Sequence, residues 1–572
     1  MNDRFELAGI GAFAGLSLWA LFEYLPDLVG EGLLLFALTV TTGVFFTVLM
    51  ALVGPERPAR AILPSLGLAL VCGVLAYGAG VRFATVDATV QALHPLLALC
   101  VLGLLGTPFA AAQLEAPAGW RSYARLFDSA WAIFIRYVAG GLFAGLIFLA
   151  LLLSDALLKL VGIEAIAQLL EHVWLRYTLA GAVFGLGVAT VHELRGYVSP
   201  VLVHRLLRML LPLMLAVVLV FIAALPVRGL SELFGGLSSA GVLMAVAFGG
   251  LTLVSTALDR DDAAAAQSRL MRLSAQLMAL LLPVLVGLAA YAIWLRVDAY
   301  GLTPRRLMAA YSALFLLGYA GSYFWAVLRG SGWQGRLRQT NLRMALAVWG
   351  GAVLWLSPLI NAEALSARSQ LARFEAGAST PEELPLYEMA QRWGKAGQAA
   401  LHQLDEGGDA ALQARIAQAR TAGARWQFEQ EDGAVQAAAL RPLLAARMAR
   451  RPEGAPLEAL LARMEGAALL ALARACPEAA LETCVFVPLA QGSDPFAAER
   501  GLVVTRGSER VFALRAEGRF VLVQPSAAFD DAGRRQAVPE GLFEQVMAGE
   551  FAIVPLNRNV MSLGDGLFFP YN

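Results

Sequence analysis

LLRMLLPLMLAVVLVFIAALP, residues 206–226, carries a single charge, Arg208. A helix of about 20 such residues, rising 1.5 Å per residue, crosses a hydrocarbon core of about 30 Å. Similar stretches recur along the first two thirds of the chain, at 7–25, 32–53, 61–80, 93–111, 131–154, 174–191, 239–258, 275–296, 306–328 and 343–361. Together they predict eleven membrane spans. Arg136 falls inside one of them and is expected at the interface, its head group reaching outward.

The composition agrees. Of 572 residues 58% are hydrophobic and 15% charged, against about 45–50% and 25% for a soluble globular chain. Residues 1–361 hold 18 acidic and 23 basic side chains, and residues 362–572 hold 26 and 21. The first part is therefore charge-poor and membrane-like, and the second has the charge density of a soluble domain. Disorder, collagen, nucleic-acid binding and a lone secreted domain are excluded. Membrane lipids and an envelope protein partner are the expected contacts.

Orientation follows from the short loops, because cytoplasmic loops keep Lys and Arg. One alternate set of segments holds 16 such residues, Arg136 included, and the other holds 7. The N-terminus is then cytoplasmic. With eleven spans, the domain from 362 onward is periplasmic, in a bacterial inner membrane. Cys72 and Cys100 lie in spans, while Cys476 and Cys484 lie in the soluble part, eight residues apart. A disulfide between the latter two fits an oxidising compartment; two buried thiols are the alternative. The first span has no small-residue cleavage site and reads as a signal anchor.

Ionisable residues in mid-membrane mark ion-coupled carriers, and here Asp155, Glu193, Arg205 and Arg296 all map near span ends. Gly11 with Gly15, Gly141 with Gly145, and Gly181 with Gly185 have the spacing that lets helices approach closely, and internal packing is their expected use. Two loop clusters stand out. VHELRGY (191–197) reads as an interfacial anchor. WLRVDAYGLTPRR (294–306) places Arg296, Arg305 and Arg306 on the outer side, against the topology signal. Gly301 makes the turn, Thr303 caps the next helix and Pro304 opens it. Arg305 and Arg306 then oppose that helix's dipole, so a negative partner is expected: a carboxylate of the domain starting at Glu363, or a lipid phosphate.

The Tyr-Gly-Leu-Thr-x-x-Arg turn, Tyr300 to Arg306, together with the many spans and the C-terminal extracytoplasmic domain, resembles the bacterial proteins grouped as domain of unknown function 4153. That resemblance implies a polytopic inner-membrane protein and carries no catalytic residues with it.

Residues 362–475 read as helical, with turns near 377–381, 407–408 and 433. From 485 the runs VFVPL, LVVT, VFALR, FVLVQ and FAIVPL read as strands, with Ala516–Gly518 as a three-residue hairpin connection. The fold class is mostly α: a transmembrane bundle over 1–361, then an α+β domain over 362–572. No nucleophile elbow, Walker loop or HExxH occurs. Only His402 of the five histidines lies beyond the spans, so no catalytic residue, metal ligand or cofactor is assigned. The leading function is a non-enzymatic envelope scaffold, sensor or assembly factor. The alternatives are a transporter or channel for a small molecule or lipid-linked substrate, and a membrane-embedded envelope transferase that holds phosphate with the outward arginines.

Overall fold

The structure is a computed structural model describing residues 2–29, 32–53, 58–193, 200–228, 239–455, 457–464, 466–476, 483–488, 501–506, 511–516, 520–523, 528–529, 535–536, 541–555, 559–563 and 566–568. The chain forms two compact units, Met1–Ile416 and Ala417–Asn572.

The first unit is all helix. α1 (Asn2–Trp19) passes through a π turn into α2 (Leu25–Val29), followed by α3 (Leu33–Leu52), α4 (Pro58–Gly80), the short α5 (Val86–Gln91), α6 (His94–Glu115) and α7 (Tyr123–Leu160). Then come α8 (Ala165–Glu171), α9 (Val173–Glu193), α10 (Pro200–Arg228), α11 (Ser239–Leu258), α12 (Arg269–Tyr300), α13 (Pro304–Leu328) and α14 (Trp333–Leu356). Among the described residues ten helices are long and apolar enough to cross a membrane, which makes this a multi-pass membrane protein. Ten is one fewer than the sequence predicts. The helix that falls short is α14, whose first half carries Arg336, Arg338 and Arg343.

Geometrically α14 still runs the depth of the bundle. At 1.5 Å per residue its 24 residues extend about 36 Å. Near its start, Asn341 donates to Ser255 at the end of α11 (3.1 Å) and to Tyr123 at the start of α7 (3.3 Å). Farther along, the Trp349 indole donates to Leu102 of α6. At its end, Trp355 meets His94 at the beginning of α6.

Two of the glycine pairs pack against each other. A Cβ on Gly11 or Gly15 would strike the backbone of Gly181 or Tyr177, and one on Gly181 or Gly185 would strike Gly11 or Leu7. Thus α1 and α9 touch backbone to backbone. Gly141 and Gly145 have open space around them and take no part in this.

α15 (Ala362–Glu375), α16 (Leu386–Gln391) and α17 (Gly394–Gly407) belong to the same unit as the bundle, and α18 (Ala410–Thr421) straddles the division. The compact unit therefore ends about Ile416, well beyond the change of composition at 362. Composition records which surface meets water; it does not record which helices share a core.

The second unit is α+β. α19 (Arg425–Arg447), α20 (Leu457–Arg463) and α21 (Gly466–Ala475) pack on one sheet, with Leu444, Leu461, Leu472 and Phe486 in their shared core. That sheet has the order β1 (Met448–Arg450), β2 (Cys484–Pro488), β3 (Gly501–Thr505), β4 (Val511–Ala516), β5 (Phe520–Val523). β1 is parallel to β2, and the remaining pairs are antiparallel. The register Ala516↔Phe520 starts the hairpin connection one residue later than expected; residues 517–519 lie outside the described residues. α22 (Leu542–Ala548) packs on β2 and β3 through Leu542, Phe543 and Val546. A second sheet runs β7 (Arg535–Gln536), β6 (Ala528–Phe529), β10 (Gly566–Phe568), β9 (Asn559–Leu563), β8 (Ala552–Pro555). The reading of 362–475 as wholly helical missed β1, whose three residues are too few for a period-2 pattern to register.

Candidate functional site

Where helices end, four carbonyls lack an intrahelical partner and the macrodipole leaves a partial negative charge. This chain covers such ends with arginines from elsewhere in the fold. Arg136 donates to Ala51 of α3 (2.9 Å). Arg338 donates to Leu258 and Asp259 at the end of α11 and to the Asp262 carboxylate (2.6, 3.2 and 2.6 Å). Arg336 holds Ala326 and Gly330 around the end of α13. Arg82 holds Leu356 and Ser357 at the end of α14 (2.9 and 2.6 Å). Arg136 is thus buried against the end of α3, its head group not reaching outward as expected. In hydrocarbon a guanidinium is costly unless its donors are used, and terminal carbonyls use them.

The Tyr300 turn follows the same rule. Arg306 turns back to donate to Tyr300 and Gly301 carbonyls (3.0 and 2.7 Å), its guanidinium 5.5 Å from the Tyr300 ring centre. Thr303 accepts the Arg306 N–H as N-cap. From α15, Arg373 donates to the Asp298 and Ala299 carbonyls (both 2.8 Å) and Gln370 to those of Tyr300 and Leu302. The Ser369 hydroxyl accepts the Leu302 N–H. Gly301 sits at φ 70°, and a Cβ there would lie 2.7 Å from Arg373 Cδ and Gln370 Nε2. The negative partner expected for the arginine pair is therefore the C-terminal end of α12, with no carboxylate involved. The helix beginning at Ala362 does reach the turn, but it brings another arginine, an amide and a hydroxyl. Arg305 is exposed and, among the described residues, unpaired; Arg296 is half-buried. Arg296, Arg305 and Arg306 do not converge on Asp298, whose carbonyl rather than carboxylate is engaged.

A second contact between α15 and the bundle left no mark in the sequence. Glu363, in the first turn of α15, is buried, and its Oε1 lies 2.7 Å from His94 Nε2. The Trp355 indole N–H, which can only donate, points at His94 Nδ1 (3.2 Å). That network assigns the imidazole proton to Nε2, so the His94 N–H donates to Glu363 Oε1. Arg82 is near enough for the Glu363 charge to act on it; burial pulls its guanidinium below its usual value and Glu363 pulls the other way. The Lys395 N–H of α17 donates to the Arg82 carbonyl (2.9 Å). His94 and Glu363 each look ordinary in sequence, one before a proline and the other in a helix's first turn. Nothing local links them.

In the second unit Cys476 and Cys484 form a disulfide, with Cα atoms 5.7 Å apart. Cys72 and Cys100 are free. No group of three or more His, Cys, Asp or Glu side chains able to hold a metal occurs among the described residues. The side chains of His192–Tyr197 lie outside them.

No curated protein and no solved structure matches the chain. A family model described as Domain of unknown function (DUF4153) matches residues 12–404, ending inside α17 and so covering the bundle together with the helices clamped to it. The chain belongs to that family.

Proposed function

We propose that the protein is an inner-membrane scaffold or sensor whose bundle holds α15–α17 rigidly at its outer end and carries the C-terminal unit on the periplasmic side. The observation that carries the reading is the double clamp on α15. Glu363 is tied to His94 near its start, and Gln370 and Arg373 are tied to the α12 turn near its end. Contacts among α6, α12, α14 and α15 that bury polar side chains at both ends of α15 suit a platform that transmits position. The loop arginine bias supports a cytoplasmic N-terminus, α14 supplies an eleventh crossing, and the Cys476–Cys484 pair suits an oxidising compartment.

A pair of C-terminal reporter fusions tests this. Alkaline phosphatase fused after Asn572 is expected to be active, and a fluorescent protein that matures only in the cytoplasm is expected to stay dark. The opposite pair of results removes the periplasmic platform and leaves α14 outside the membrane count.

A further inference from the structure

At the end of the bundle where α7 and α10 begin and α11 passes into α12 lies a cavity of about 750 Å3. We propose that it binds the phosphate of an anionic amphiphile, with Arg205, Arg208 and His204 facing the oxyanion and Trp131 beside them. The inference holds whichever side the C-terminal unit occupies.

Four observations carry it. Arg205 and Arg208 stand three residues apart on the first turns of α10, hence on one face. Among the described residues neither forms an ion pair, although both line the cavity. Two free guanidiniums so placed match the spread charge of a phosphate better than a point cation would. Second, His204 is 4% exposed, and its Nε2 has no hydrogen-bond partner among the described residues. It is held against Trp131 and Phe127, with ring centres 4.7 and 5.1 Å away. A buried imidazole nitrogen without a partner, on a residue of the cavity wall, is a polar group awaiting one.

Third, the acidic residues of the wall are already engaged. Asp128 pairs with Arg260 (3.2 Å). Asp259 accepts the Arg260 N–H (2.7 Å) and sits 3.9 Å from His204 Nδ1. The wall thus keeps a positive surplus. The loop bearing these groups is prebuilt: Asp259 is held at φ 52°, Asp261 accepts the Ala264 N–H, and Arg338 binds the Asp259 carbonyl and Asp262. Strain of this kind at a non-glycine residue is kept where surrounding contacts enforce it. Fourth, Ala132, Ala263–Ala266 and Met271 give the wall an apolar part beside the polar Gln267 and Ser268, and next to the two arginines α10 exposes Leu206, Met209 and Leu210. Charge at the end of a span with an exposed apolar face alongside is the layout that accepts a head group and its chain.

The shared chemistry is a phosphate, and its source is either a lipid or a soluble anion. The test uses the full-length protein in detergent, with melting temperature as readout. The probes are short-chain phosphatidylglycerol, phosphatidylcholine of the same chain length, and inorganic phosphate. A saturable rise with phosphatidylglycerol, weaker with phosphatidylcholine and absent with phosphate, assigns a lipid. Competition by inorganic phosphate assigns a soluble anion to the same site. In either case Arg205→Gln with Arg208→Gln is expected to weaken binding by about tenfold or more, the loss of at least one charge-assisted contact. Ala263→Leu, at an exposed loop position, is expected to weaken it by narrowing the cavity while leaving both charges in place, so the result does not hang on how the double variant folds. Equal binding by wild type and both variants, equal binding of the two lipids, or no binding of any probe overturns the proposal.

Discussion

His94 Nε2 and Glu363 Oε1, 269 positions apart in the chain, lie 2.7 Å from each other in a buried contact joining the first turns of α6 and α15. The contact is directional. The indole of Trp355 takes up Nδ1, so the only imidazole proton goes to the carboxylate. Removing either partner therefore strands the other.

Glu363→Ala is expected to leave the His94 N–H unmet, at a cost of about 1–3 kcal/mol. His94→Leu is expected to cost at least as much, because it leaves both Glu363 Oε1 and the Trp355 N–H without their partner. Trp355→Phe should cost about as much as Glu363→Ala. Thermal melts of the purified protein, with limited proteolysis of α15–α17 alongside, measure all three. A His94→Leu variant as stable as wild type would contradict the assigned network.

Gly301→Ala is expected to destabilise, since it puts a side chain at φ 70° and a Cβ against Arg373 and Gln370. Gly321→Ala, in the interior of α13 with nothing near the new methyl, is expected to be neutral or to stabilise by about 0.5–1 kcal/mol through helix propensity. The opposite signs are the prediction, and a melting curve for each variant decides it.

The α1–α9 contact makes a second pair of opposites. Gly181→Leu drives a side chain into the backbone of α1, where nothing can yield, and is expected to separate the two helices. Gly145→Leu points into open space and should be tolerated. Cross-linking between cysteines introduced on α1 and α9 reports the separation: it should vanish in the first variant and persist in the second.

Asn341 bonds to Tyr323 on α13, Ser255 on α11 and Tyr123 on α7. Asn341→Leu leaves these hydroxyls to pair only among themselves and is expected to cost about 1–3 kcal/mol. Asn341→Asp, which keeps the acceptor for Tyr323 and loses the donor, should fall short of wild type as well. Stability of the two variants in the same detergent checks the ordering.

Alkylation tests the disulfide. In a background with Cys72 and Cys100 replaced by Ser, protein isolated without reductant is expected to take up no thiol reagent, and reduced, unfolded protein two equivalents. Opening so short a loop should cost only a few kcal/mol. Two reactive thiols without reduction would remove the pairing of Cys476 and Cys484.

By itself the sequence determined the membrane-embedded character, ten of the spans and five strands of the second unit, β2 to β5 and β8. It also determined the family-like turn at Tyr300–Arg306. These are local properties: apolar length, alternation and turn residues each act over twenty positions or fewer, and physical rules read them without knowing what lies opposite. Tertiary structure decided the rest. Whether Arg82, Arg136 and Arg338 anchor to water or cap a distant helix depends on which carbonyls packing brings within reach, and no local pattern records that. The same holds for β1, which exists as a strand only because β2 arrives beside it. It holds too for α15–α17, polar enough to look independent yet fastened to the bundle by Glu363, Gln370 and Arg373. Hydrophobicity acts on each segment separately, whereas a hydrogen bond needs two partners, and in a membrane bundle the second is often hundreds of residues away.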